Sequence, residues 1–337
     1  MADKKTIVHI IYNLTRGGAE SMLVQVIKKL PHYYNIVVTL EENNHFKTEL
    51  ECDEYICLNT ASLFSLPLAA IKIRNIITKR KVHLVHSHLP LSNFAARLGV
   101  PANVPLFSTI HNSIAISGDY KKWIIRFLDK ATYKLRRSTI IAVSSNAMQD
   151  YFSVLKLEKR DAHVLYNFVD ITKYPLSIIS TASKNGRAIC IAALSRQKNI
   201  GLLIKGFHLL NPPVLHLDVY GRGQLHDELT DMIKNNGVEN VHLKGQVNNI
   251  PSLLPAYNIF VMSSRFEGFS LSVLEAMAAG VPVLLSDIPS FREQCGDYAL
   301  YFDLENPQSL ANKILLLHQN PSLLKNMAEK GRLFVED

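Results

Sequence analysis

Two glutamates, Glu267 and Glu275, stand with seven residues between them in the string SSRFEGFSLSVLEAMAAGVPVLLSD, which runs from Ser263 to Asp287. Leu271, Val273, Leu274, Met277 and Ala278 recur at helical spacing, so a helix is predicted to start just after Gly268. The backbone N–H groups of Phe269, Ser270 and Leu271 would open it without intrahelical partners, and with the helix dipole they favour an anion such as phosphate. Gly268 lets that anion approach closely. A carboxylate sits badly against a phosphate, so Glu267 and Glu275 are better suited to accepting hydrogen bonds from hydroxyls on either side of it. Hydroxyls, phosphate and hydroxyls in that order are the outline of a nucleotide sugar. Acidic residues near a helix start also serve simply to complement the dipole, and the pair alone leaves both roles open.

The elements that must position this string are legible on both sides of it. The short apolar run Tyr257 to Met262 reads as a buried strand of a parallel sheet. Gly280 falls where a left-handed residue ends a helix, Pro282 stops any continuation, and Val283-Leu284-Leu285 begins another strand. The result is a βαβ unit whose loop lies at the carboxyl end of a strand, where open α/β sheets hold their ligands.

The whole string resembles the donor-binding signature of the retaining glycosyltransferases of family 4, in which two glutamates lie at this spacing in EGF-x-L-x-x-LEAMA-x-G-x-PV. Glu267, Gly268, Phe269, Leu271, Leu274, Glu275, Ala276, Met277, Ala278, Gly280, Pro282 and Val283 fit that pattern. Near the N-terminus, strand-like Ile7 to Tyr12 leads into Gly17-Gly18-Ala19-Glu20, the usual GGAE form of a loop that in this family lies against the donor diphosphate and sugar. Leu106 to Ile110 reads as a strand that delivers His111-Asn112, and family members carry a cleft histidine there. Ala142-Val143-Ser144 resembles the family's AVS strand end. Val164 to Asp170 is similar to its IPNGVD string, with Phe168 in place of glycine.

The resemblance implies an arginine and a lysine that neutralise the diphosphate after the first strand of the second domain. Lys198 matches the lysine, Ala193 occupies the arginine position, and Arg196 is the nearest cation that could replace it. Gly221-Arg222-Gly223 fits the family's G-x-G turn but is weak as a dinucleotide fingerprint, and Gln246-Val247 would border the base. The chain ends just after a helix, where family members usually add one more.

At 337 residues, two domains are the prior. Strands alternating with helices make each a parallel, doubly wound sheet. The expected architecture is α/β of the GT-B type: two facing Rossmann-like domains with a central cleft, an acceptor-side domain over 1–170, a hinge over 171–187 centred on polar Ser177 to Arg187, and a donor-binding domain over 188–337. The net charge of +8 points to acidic partners such as phosphorylated substrates or an anionic surface. Cys52, Cys57, Cys190 and Cys295 form no C-x-x-C pair, which suits free thiols in a reducing cytoplasm. No stretch reaches the roughly 18 apolar residues that span a bilayer. Tyr120 to Arg137, YKKWIIRFLDKATYKLRR, interleaves seven basic residues with aromatic and aliphatic ones. It is either a core helix with a solvated basic face or a helix that docks peripherally on the inner face of an anionic membrane.

His86 and His88 share a strand parity, but with no acidic or cysteine third ligand in register they make a weak metal site. No D-x-D pair occurs either, so no metal or other cofactor is expected. Resemblance implies a retaining, metal-independent transferase that moves a sugar from a UDP-hexose or UDP-N-acetylhexosamine donor to a glycan or lipid-linked acceptor of bacterial surface polysaccharide synthesis. Under that implication Glu275 holds the ribose hydroxyls, Glu267 the donor sugar hydroxyls, and His111 a hydroxyl near the reacting carbon. Gly17, Gly18, Arg196, Lys198, Gly221, Gly268, Phe269, Ser270 and Leu271 border the donor, and nucleic acid is not a partner. A nucleotide-sugar 2-epimerase of the same fold and a non-catalytic membrane-surface protein are the alternatives.

Overall fold

A computed structural model describes residues 4–174, 186–210, 214–247 and 249–336. The chain divides into two compact units, Met1–Asn167 and Phe168–Asp337. Most of the expected hinge lies outside the described residues; Ile171–Lys173 form a single 3-10 turn, and Gly186 and Arg187 already belong to a strand.

In the first unit seven strands form one parallel sheet. They are β1 (Thr6–Ile11), β2 (Tyr34–Thr39), β3 (Glu54–Cys57), β4 (Leu84–His88), β5 (Leu106–Ile110), β6 (Thr139–Ala142) and β7 (Ala162–Val164), in spatial order β3-β2-β1-β4-β5-β6-β7. The helices between them are α1 (Gly18–Lys28), α2 (Leu66–Lys79), α3 (Pro90–Gly99), α4 (Trp123–Leu135) and α5 (Ser145–Leu155). Every residue of β1 is buried, because crossover helices cover a parallel sheet on both faces and leave no polar side for alternation. The strand order reverses between β1 and β4, and the carboxyl ends flanking such a reversal are where a doubly wound sheet offers a binding site.

The second unit repeats the plan with β8 (Gly186–Ile191), β9 (Leu215–Tyr220), β10 (Val241–Gly245), β11 (Ile259–Met262), β12 (Val283–Ser286) and β13 (Leu300–Phe302), in order β10-β9-β8-β11-β12-β13. Its helices are α6 (Ile200–His208), α7 (His226–Asn235), α8 (Ile250–Leu253), α9 (Leu271–Ala278), α10 (Pro289–Cys295), α11 (Pro307–Gln319) and α12 (Pro321–Glu336). Here the reversal lies between β8 and β11. One continuous core joins Ile189, Phe207, Phe260, Met277, Leu284 and Phe291. The helix stop predicted at Gly280 is present: φ is +70°, and the N–H of Val281 reaches back to Ala276 O at 2.9 Å.

Helix α4 packs an unusual face inward. Its buried residues are Asp129, Thr132 and Tyr133, while Trp123 and Phe127 are 74% and 58% exposed. Asp129 pairs with the buried Arg97 of α3 at 2.5 Å and also accepts from Tyr120 and Tyr151, at 2.5 and 2.8 Å. Burial and the Asp129 charge hold both phenols far above their ordinary range, so each stays a donor. Removing one partner strands the other charge in the core, so Asp129→Ala is expected to cost about 3–5 kcal/mol. Urea unfolding followed by circular dichroism measures this.

Candidate active site

The loops that follow β8 and β11 meet at the reversal point of the second sheet and are stitched into one body. Ser263 Oγ donates to the carbonyls of Lys198 and Asn199 at 2.9 and 3.0 Å. Gln197 Nε2 donates to Phe266 O at 3.0 Å, and Arg265 N to Gln197 O at 2.8 Å. Asn199 caps the start of α6 in a left-handed conformation, φ +50°, a turn that asparagine tolerates better than most residues. These bonds aim Lys198 and Glu267 at each other: Nζ meets Oε1 at 2.5 Å, and both side chains are largely buried.

The helix that should receive an anion begins as predicted, but its entry is shared differently. Ser270 is the N-cap residue of α9 and makes no side-chain cap bond. Its hydroxyl lies instead 3.8 Å from Met262 Sδ and 3.2 Å from Ser272 Oγ. Of the three N–H groups expected to face a phosphate, that of Ser270 is engaged by Gln294 Oε1 at 2.9 Å, and Gln294 Nε2 returns a bond to Ser270 O at 2.8 Å. A fully buried glutamine thus replaces water as the partner of this loop, and Ser270 N–H is withdrawn from the expected anion site. Gly268 is buried and Leu271 is half-buried. Phe269, also half-buried, makes interactions of its own.

Glu275, on the second turn of α9, accepts from Tyr174 OH at 2.9 Å. Burial pushes its carboxyl up to about 7, against the opposing pull of the Tyr174 hydrogen bond. Tyr174 is itself held in place by α12, since Arg332 Nη1 donates to Tyr174 O at 2.9 Å and also bonds Ala278 O. Neither Tyr174 nor Gln294 was marked by the sequence; both act through contacts that join residues distant along the chain.

Arg196 is exposed and forms no ion pair among the described residues. Gly221, with φ +151°, has a structural reason to be glycine: any side chain there would run into the carbonyl of Ala192, and one at Gly223 into that of Leu194.

Gly17, Gly18 and His111 belong to the first unit. Gly17 is the N-cap residue of α1, and a side chain on it would collide with the carboxylate of Glu20, which is buried and has its acidity weakened by that burial. Gly18 faces open space. His111 Nε2 lies 3.0 Å from His88 Nδ1, and burial pushes its imidazole down to about 4, so it is neutral at physiological pH. The third ligand that sequence did not supply for His86 and His88 is His9, which the pairing of β1 with β4 sets opposite His86.

Two parallel-sheet Rossmann-like units of this kind match the GT-B fold of solved glycosyltransferase structures. The chain superposes on the structure of Anabaena Alr3699/HepE in complex with UDP and glucose with a TM-score of 0.85 and 21% identity, covering 98% of this chain and 94% of that one. It superposes on TarM with a TM-score of 0.81 and 15% identity, covering 99% and 96%. The sequence profile described as "Glycosyltransferase Family 4" matches residues 16–173, and that described as "Glycosyl transferases group 1" matches 178–334.

The chain therefore belongs to the group 1 glycosyltransferases of the family 4 type and is a transferase enzyme. Similar proteins include the uncharacterized glycosyltransferase MJ1178 of Methanocaldococcus jannaschii, 25% identical over 98% of this chain and 93% of that one. Another is the N-acetylgalactosamine-N,N'-diacetylbacillosaminyl-diphospho-undecaprenol 4-alpha-N-acetylgalactosaminyltransferase of Campylobacter jejuni, 24% identical over 96% and 92%. The O-antigen biosynthesis glycosyltransferase WclY of Escherichia coli is 23% identical over 93% and 89%.

The weakened acidity of Glu275 has a direct consequence for stability. A carboxyl that titrates near 4.5 unfolded and about 7 folded binds more protons in the native state between those values. Its contribution is thus complete below about 4.5 and is lost as pH rises to about 7. Glu275→Gln is expected to melt higher than the parent at pH 8 and near it at pH 4.5, with a difference on the order of 1–3 kcal/mol. Thermal unfolding across that range checks the sign.

Proposed function

We propose that this enzyme is a retaining glycosyltransferase needing no divalent ion for transfer. It moves a hexose or N-acetylhexosamine from a UDP-sugar to a glycan or lipid-linked acceptor in bacterial surface polysaccharide or glycoconjugate synthesis. The observation that carries this reading is the buried Lys198–Glu267 pair at the reversal of the second sheet, beside a helix start whose N-cap side chain is turned elsewhere. Lys198 has three N–H donors and can keep Glu267 while reaching a phosphate oxygen. Arg196 adds a second positive charge where the family arginine has become Ala193. Glu275, steadied by Tyr174, accepts from the ribose hydroxyls, Glu267 from hydroxyls of the donor sugar, and His111 contacts a sugar hydroxyl near the reacting carbon. In the transfer step the bond from the anomeric carbon to the phosphate oxygen breaks as the acceptor oxygen bonds to the same face. The departing phosphate takes the acceptor proton, while Lys198, Arg196 and the first turn of α9 offset its charge.

The names of the similar proteins support the substrate class. HepE is described with UDP, with UDP and glucose, and with UDP-glucose; the Campylobacter enzyme is named for an undecaprenol-linked acceptor and WclY for O-antigen synthesis. A lipid-linked acceptor also accounts for α4, whose exposed Trp123 and Phe127 sit among Lys121, Lys122 and Arg126. That surface docks on anionic lipid, each basic residue contributing about 1 kcal/mol.

Melting the chain with UDP-glucose, UDP-N-acetylglucosamine and UDP-N-acetylgalactosamine in excess EDTA identifies the donor, because a ligand of the native state raises the transition. With that donor, Lys198→Ala and Glu267→Gln are each expected to lower turnover about 100- to 1,000-fold. Unchanged turnover, a strict need for a divalent ion, or conversion of the donor sugar without acceptor would each overturn the assignment. For the membrane surface, Trp123→Ala with Phe127→Ser is expected to lose sedimentation with phosphatidylglycerol vesicles while keeping transfer to a soluble acceptor.

A further inference from the structure

Three histidines of the first unit each have one ring nitrogen engaged. His9 Nε2 is 3.2 Å from Asn35 Oδ1, His86 Nε2 is 2.6 Å from Thr109 Oγ1, and His88 Nδ1 is 3.0 Å from His111 Nε2. The remaining nitrogens of His9 and His88, Nδ1 and Nε2, are buried with no hydrogen-bond partner among the described residues. A buried nitrogen left unpaired is costly, so two in one place call for a partner.

One nitrogen from each histidine lies within 4.8 Å of those of the other two. A cation centred among them is at most about 2.8 Å from each, and small ring rotations close this to the roughly 2.0–2.1 Å of a zinc–imidazole bond. The outer partners also fix which nitrogen is free. Both protons of the Asn35 amide are taken, by Leu30 O and Tyr33 O at 2.9 and 3.2 Å. Its Oδ1 therefore faces His9, and His9 must donate from Nε2 and keep a lone pair on Nδ1. A ligating imidazole oriented by a hydrogen bond from its other nitrogen is the usual arrangement around a bound metal.

We propose that His9, His86 and His88 form a three-histidine site for a borderline divalent cation such as Zn2+, with a fourth position open to water or an anion. The site lies at the reversal between β1 and β4, in the unit that does not carry the Lys198–Glu267 pair. With a cation on its Nε2, His88 carries its proton on Nδ1 and donates to His111, so His111 presents an N–H at its own Nδ1. The cation thereby fixes the hydrogen-bonding sense of His111 and takes no part in offsetting the charge of the donor.

The test uses the full chain without an affinity tag, stripped with a chelator, exposed to Zn2+ or Co2+ and desalted before elemental analysis. One metal per chain is expected, with a higher melting temperature and, for Co2+, the visible absorption of a four-coordinate site. His9→Gln and His88→Gln are expected to lose the metal, Thr109→Val to bind it about 10- to 100-fold more weakly, and exposed His318→Gln to bind as the parent does. A parent chain that retains no metal, or triad variants that retain as much as the parent, would overturn the proposal. The parent measurement stands even where a variant fails to fold, and bound metal is read without reference to sugar transfer, so the two assignments fail separately.

Discussion

The second unit of this enzyme rests on a lysine and a glutamate that are removed from water together. An ion pair taken into a protein interior is tolerable only when its geometry is held and its remaining hydrogen-bonding capacity is met. Here the holding comes from backbone: Ser263 bonds two carbonyls beside Lys198, and Gln197 and Arg265 cross-link the same two loops. The loops after β8 and β11 therefore cannot drift apart without unpairing Lys198 and Glu267, so the site is prepared before any ligand arrives. Such preparation lets positive charge act on a leaving phosphate without reorganisation at the moment of transfer.

A second layer of support reaches this region from the far end of the chain. Arg332 on α12 bonds the carbonyl of Tyr174 and that of Ala278, and Tyr174 in turn donates to Glu275. The last helix thus acts on a carboxylate of α9 through one arginine and one phenol. Gln294 does similar work from α10, taking the Ser270 N–H that would otherwise be left to solvent or ligand and donating to the Ser270 carbonyl, which Leu274 N also reaches. The α9 entry consequently offers fewer free N–H groups than a bare helix start provides, so the proposed function places more of the charge compensation on Lys198 and Arg196.

The first unit turns the ordinary arrangement of polarity around. Helix α4 buries an aspartate against Arg97 and two tyrosines while leaving a tryptophan and a phenylalanine in solvent. A charge network of this kind contributes less net stability than apolar packing of equal volume. It does leave Trp123 and Phe127 exposed beside the basic side chains of the same segment.

The sequence by itself determined the parallel, doubly wound plan of both sheets and the helix that begins at Leu271 and stops at Gly280, and it singled out Lys198, Glu267 and Glu275 for attention. Strand and helix periodicities are local, and the family string is contiguous, so both survive in one dimension. Tertiary structure alone decided who meets whom across long intervals: Lys198 with Glu267, Tyr174 with Glu275, Gln294 with Ser270, and His9 with His86. Periodicity told that His86 and His88 share a face, yet the residue that completes the trio sits on a strand joined to theirs only by sheet pairing. It also decided that Gly221 is glycine because Ala192 O crowds it, and that Trp123 and Phe127 of the basic helix are exposed. Pairing across a parallel sheet brings together residues separated by whole crossover units, and no spacing along the chain encodes that contact.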